Sequence, residues 1–144
     1  MEFNIKLENM ELIKESFEKI GAPFKRVGIK VNTNMNNSFK LGTVSNLKDI
    51  SDKKIALEYK FNIIQKDVES DEKVTELFIQ YIAIFNDEDN KIIKLMEENK
   101  LLEKDVNELI INLNKLAYPY IKEYIELKYN KANITLKLPL ELSI

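Results

Sequence analysis

Residues 54–64, KIALEYKFNII, put Ile55, Leu57, Tyr59, Phe61 and Ile63 on one side of an extended chain and Ala56, Glu58, Lys60 and Asn62 on the other. Successive side chains of a strand point to opposite faces, so this run describes a β-strand with one buried face. KDVESDEK (66–73) then supplies a polar hairpin turn, and VTELFIQYIAIF (74–85) returns as a second strand. That strand is more continuously apolar, which predicts that both of its faces are covered. The chain must therefore find further strands or helices to close over this hairpin.

Upstream, RVGIKVNTN (26–34) alternates Val27, Ile29 and Val31 with Gly28, Lys30 and Asn32 after the turn signal GAPF, and predicts another strand. The stretch IKLENMELIKESFEKI (5–20) fits a helical face through Met10, Ile13, Phe17 and Ile20, and fits alternation through Ile13, Glu15 and Phe17. Its periodicity allows either. NMNNSFKLGTVSNLKDISDKK (34–54) is rich in Asn and Ser and reads as a connector, with a short strand at most over 39–44.

After NDED (86–89) the period changes. Ile92, Ile93 and Met96 suit a short helix, and Asp105 with Glu108 forms a capping pair ahead of Val106, Leu109, Ile110, Leu113 and Leu116. A helix is predicted from about 104 to 117. Pro119 follows inside KLAYPYIKEY, where its missing N–H and its ring are expected to break the helix. Beyond it, Tyr120, Ile121, Tyr124, Ile125 and Leu127 make an apolar stripe wide enough to face two partners. The chain closes on NITLKLPLELSI, extended and interrupted by Pro139. Strands first and helices after give a single α+β domain over 1–144, an antiparallel sheet with helices gathered on one face.

Composition narrows function. With 22 Lys+Arg against 24 Asp+Glu, scattered rather than clustered, the chain lacks the basic face of a nucleic-acid binder. Neither a signal peptide nor a membrane-spanning run is visible, so a cytoplasmic protein is expected. Without cysteine or histidine there is no thiol chemistry, no zinc site of the usual kind and no imidazole base, and three glycines provide no phosphate-cradling loop. The acidic clusters Asp87, Glu88 and Asp89, Asp71 and Glu72, and Glu97 and Glu98 read as solvated turns and a charged helix face rather than as cation or glycosidase sites. No catalytic residue, metal or cofactor is expected, and the chain reads as a binding protein.

The order of elements, with ESFEK (15–19), AIF (83–85), AYPYIKEYI (117–125) and LPLEL (138–142), resembles the SecB-type export chaperones and their SecB-like relatives over nearly the whole chain. The resemblance implies that residues 4–18 are the first strand of a four-stranded antiparallel sheet. It implies that the helix divided at Pro119 lies across the sheet and packs on its counterpart in another subunit, through Tyr120, Ile121, Tyr124, Ile125 and Leu127. The function implied is an ATP-independent holdase for unfolded or secretory polypeptides, assembled as a homotetramer. Tyr59, Phe61, Phe78, Tyr81 and Phe85 are the candidates to line its client groove, although each taken singly reads first as core packing. Two variants stay open: a chaperone dedicated to the antitoxin of a toxin–antitoxin pair, and a structural or adaptor subunit of the same fold. Docking to the SecA motor is expected to be weak. Phe78 stands where the export proteins carry an acid, with Glu76 the nearest replacement, and no cysteine or histidine is present to form a zinc-binding tail.

Overall fold

The computed structural model describes residues 2–19, 30–46, 49–132 and 134–142. Four strands, β1 (Ile5–Lys19), β2 (Val31–Asn46), β3 (Asp49–Asp67) and β4 (Lys73–Asp87), precede two helices, α1 (Lys91–Glu97) and α2 (Glu103–Lys131). The strands form one antiparallel sheet in the order β1-β4-β3-β2, and the fold is α+β. The ambiguous N-terminal segment is a strand. The GAPF turn and residues 26–29 of the expected second strand lie outside the described residues. The chain divides into two compact units, Met10–Lys40 with Leu57–Ile82, and Met1–Asn9 with Leu41–Ala56 and Ala83–Ile144.

In the first unit the alternation of β3 is realised. Leu57, Tyr59, Phe61 and Ile63 are buried, and so are Leu77, Ile79 and Tyr81 of β4. The opposite face of β4, with Glu76, Phe78, Gln80 and Ile82, is only half-buried, which corrects the expectation that both faces are covered. The apolar side chains on that face made the run look continuous. Phe39 of β2 meets the Tyr59 ring edge-on at 5.4 Å, and Tyr59 stacks on Phe61 at 5.8 Å. In the same β2–β3 register, the buried Gln65 donates to Thr33 Oγ1 (3.2 Å) and accepts from Thr75 Oγ1 (2.9 Å). Three strands are thus tied by one satisfied polar chain inside an apolar layer, where an unpaired amide would cost about 1–3 kcal/mol.

β2 is also longer than its composition suggests. The connector expected over 34–54 contains most of a sixteen-residue strand and the start of β3. Val31, Met35, Phe39 and Leu41 are among its half-buried positions, and Asn32, Asn34, Asn36 and Ser38 are exposed. β2 is an edge strand, so polar outward positions cost it little.

In the second unit Asp87, at the end of β4, organises the turn into α1. Its Oδ2 accepts the amides of Ile92 (2.8 Å) and Ile93 (3.1 Å), standing in for the N-cap side chain that Asn90, at φ 56°, does not provide. Burial pushes the Asp87 carboxyl above its ordinary range, and the nearby Asp89 adds to the rise, although the two amides pull the other way. A raised folded-state pKa contributes stability that is complete below the unfolded value of about 4 and is lost as pH climbs through the raised value. Asp87→Asn keeps an acceptor for both amides and removes the charge. Its urea midpoint is expected to vary less than the parent's from about pH 4 upward, whereas Asp87→Ala should lose about 1–3 kcal/mol near pH 4 and less at higher pH.

α2 begins at Glu103, not at an Asp105–Glu108 capping box. Leu102 is the N-cap without a side-chain hydrogen bond, and Glu103 and Asp105 in the first turn favour the helix dipole instead. The helix is not broken at Pro119: it runs unbroken from Glu103 to Lys131 with the proline inside. Leu109, Leu113, Ala117, Ile121, Ile125 and Tyr129 form one fully buried row through that point. Each large side chain in such a row contributes about 1.5–3 kcal/mol, together more than the ~3 kcal/mol a mid-helix proline costs. Pro119 and Lys115 both lie on the exposed side, so water can reach the Lys115 carbonyl that the proline leaves without an amide. Pro119→Ala restores that hydrogen bond, partly offset by a more flexible unfolded chain. It is expected to stabilise by about 2 kcal/mol, read as a rise in Tm.

Candidate functional site

The aromatic candidates separate by face. Tyr59, Phe61 and Phe85 are fully buried and Tyr81 nearly so, and desolvation raises the Tyr59 hydroxyl well above its usual range. In this structure these four do not line an open groove. The phase of β3 and β4 turns them inward with Leu57, Ile63, Leu77 and Ile79. Phe78 stands on the other face of β4, half-buried, with Lys14 Nζ 5.8 Å from its ring centroid, within cation–π range. Glu76, on the same face as Phe78, is held below the usual carboxylate range by hydrogen bonds from Lys73 (3.0 Å) and Asn62 (3.5 Å).

The stripe beyond Pro119 also divides. Ile121 and Ile125 belong to the buried row of α2 and are core residues of the protomer, which corrects their assignment to an interface. At 100° per residue, Tyr120 and Leu127 fall outside that row and are 61% and 51% exposed, with Tyr124 half-buried. Ile111, 46% exposed, lies on the other side of the helix, about 180° around from Tyr120.

The sequence reading missed what lies beside this surface. Residues 134–139 double back along α2 outside any helix or strand, and the chain bends at Leu140 and Glu141. The Ile134 amide donates to the Tyr129 carbonyl (2.9 Å), and the Tyr118 hydroxyl donates to the Pro139 carbonyl (2.7 Å). Burial and then the charge of Glu126 push the Tyr118 pKa up to about 12, so this hydroxyl keeps its proton, and its role as donor, across the physiological range. Leu136 and Leu138 are buried while Leu140 is 84% exposed. A groove of about 620 Å³ opens between Pro119, Glu123 and Leu127 of α2 and Ile134, Leu136 and Leu140 of the segment. A smaller one of about 210 Å³ lies between Ile111, Lys115 and Tyr118 and the residues Leu140 and Leu142. The signal was present in the alternation of Ile134, Leu136, Leu138, Leu140 and Leu142 with Thr135, Lys137 and Glu141, read only as an extended ending.

These grooves present apolar side chains beside a tyrosine hydroxyl that serves a backbone carbonyl. Among the described residues no group of acidic side chains is placed to hold a metal ion, and no helix is long and apolar enough to cross a membrane.

No protein-family model matches the chain, and no curated protein matches it in sequence. Among solved structures it is similar to the Mycobacterium tuberculosis SecB-like chaperone Rv1957, in complex with a ChAD peptide from the Rv1956 HigA1 antitoxin. The likeness covers 97% of this chain and 89% of that one with a TM-score of 0.58, at 15% sequence identity. It is a likeness of architecture carried by nearly the whole chain, and by it the fold is that of a SecB-like chaperone.

Proposed function

We propose that this chain is a molecular chaperone that holds extended, non-native polypeptide segments and releases them without nucleotide. The observation that carries the reading is the near full-length likeness to a SecB-like chaperone in complex with an antitoxin peptide. The exposed Ile111, Tyr120, Leu127 and Leu140 support it, because apolar surface of this kind binds unfolded chains with little regard to sequence. The absence of a nucleotide-binding motif in the sequence makes release a matter of exchange or hand-over. Of the client classes, a dedicated partner such as an antitoxin is favoured over secretory precursors at large. The relative is in complex with an antitoxin peptide, and Phe78, with Lys14 near its ring, stands at the position where the resemblance puts the acid of the export proteins, with Glu76 the nearest acid on that face. We also propose homo-oligomeric assembly, up to a tetramer, through the outer side of α2.

The deciding experiment follows light scattering of a chemically unfolded client and of an aggregation-prone antitoxin fragment, each with and without the chain and without ATP. Suppression at stoichiometric ratio is expected, stronger for the fragment. Coincident traces for every client would sink the reading and favour an adaptor that binds a folded partner.

A further inference from the structure

The segment 134–142 is attached unlike the rest of the chain. Among the described residues its hydrogen bonds are the Ile134 amide to Tyr129 and the Pro139 carbonyl from Tyr118, and the amides and carbonyls between them join no ladder. What remains is the burial of Leu136 and Leu138. Its length matches the surface it follows. Between its two anchors, Tyr129 and Tyr118, α2 measures about 17 Å at 1.5 Å per residue, and 134–139 spans about 17 Å at 3.3 Å per residue. The segment has the chemistry of a polypeptide caught in a chaperone: extended, apolar at every second residue, polar between, and held by one carbonyl and two leucines. Open grooves on either side of Leu140 show that the surface is larger than its present occupant.

We propose that the side of α2 bearing Tyr118 is a peptide site filled in cis by residues 134–142, and that an extended client segment with apolar side chains at alternate positions displaces this strap to bind there. Tyr118 then donates to a client carbonyl in place of that of Pro139, and client side chains take the places of Leu136 and Leu138. The strap competes with every client, so only segments that fill the adjoining grooves as well bind tightly. This deepens the chaperone reading and rests on it.

The test uses the full-length chain and two probes followed by fluorescence anisotropy: a labelled peptide of sequence ITLKLPLEL, and a reduced, carboxymethylated model client. Leu136→Ser with Leu138→Ser changes the strap and leaves α2 intact. Apparent affinity scales with the fraction of time a site is empty, so this variant is expected to bind the labelled peptide about tenfold tighter than the parent. Tyr118→Phe added to it should return several-fold of that gain. Equal affinity of parent and strap variant overturns the proposal. A second measurement needs no variant: hydrogen–deuterium exchange of the 134–142 amides in the parent is expected to quicken when the model client saturates it, and unchanged or slower exchange overturns the proposal. If the parent binds the model client while the strap stays in place, the strap mechanism fails and the chaperone reading stands. If neither parent nor variants bind either probe, both fail.

Discussion

Ile125→Glu is expected to unfold the chain, although Ile125 belongs to the very stripe that reads as an assembly surface. Ile125 is fully buried in the row that runs from Leu109 to Tyr129. A carboxylate there has no partner placed for it and must either leave the core or take up a proton, and changes of this kind lie at the severe end of point substitutions, about 4–5 kcal/mol. Natural domains hold only about 5–15 kcal/mol in total, so a loss of this size takes between roughly a third and all of it. Tyr120→Glu with Leu127→Glu gives the opposite outcome. Both positions are exposed, and each charge should alter stability by no more than about 0.5 kcal/mol. Far-ultraviolet circular dichroism with urea titration separates the two. If the exposed pair dissolves an oligomer while leaving the melting curve in place, light scattering will show it, and a loss of fold in that pair would contradict the placement of α2.

Phe61→Ala should cost about 3–5 kcal/mol, the range for an emptied aromatic site in a packed core. Phe61 is 1% exposed and stacks on Tyr59, so the lost ring takes a 5.8 Å neighbour contact with it. Phe78→Ala removes the same side chain from the same sheet, but from its half-buried face, and should cost about 1 kcal/mol or less, including the contact with Lys14. Client binding measured beside the urea midpoints gives the pair its value. A client affinity that falls with Phe78→Ala at unchanged stability places clients on the open face of β4, and an unaffected one directs attention to α2. Equal destabilisation by the two substitutions would contradict the face assignment of β4.

Much of this arrangement can be read from the chain alone where one physical signal dominates. Ile55 to Ile63 alternate apart from the small, buried Ala56, and a central strand buried mainly on one side demands that pattern. β2 was harder because its outward positions carry Asn32, Asn34, Asn36 and Ser38, the residue types that also make loops. At an edge, composition reports solvent more than backbone geometry. For α2, local sequence specifies a helix and a proline but not which third of the cylinder meets the core, so Ile121 and Ile125 could not be told from Tyr120 and Leu127. The unbroken passage through Pro119 has the same origin. Proline's cost is local, whereas the burial that outweighs it comes from residues far away in the chain. The strap was visible as alternating leucines, and its seat on Tyr118 was not.

The strand order has a consequence for how the protein is made. β1 lies beside β4, with the Glu88 amide donating to the Asn4 carbonyl at 3.0 Å, so of the four strands of this sheet the earliest in sequence pairs with the latest. Between Lys19 and the end of β4 the ribosome must add about 70 residues, which at about 5–20 residues per second takes roughly 4–14 s. During that time β1 is an unpaired strand in solution. Lys6, Glu8, Glu11, Lys14, Glu15, Glu18 and Lys19 distribute charge of both signs along it, and a strand so marked is poorly suited to pairing with another nascent copy of itself. β2, β3 and β4 are consecutive neighbours and can zip as they emerge, and β1 completes the sheet only once β4 presents its free edge.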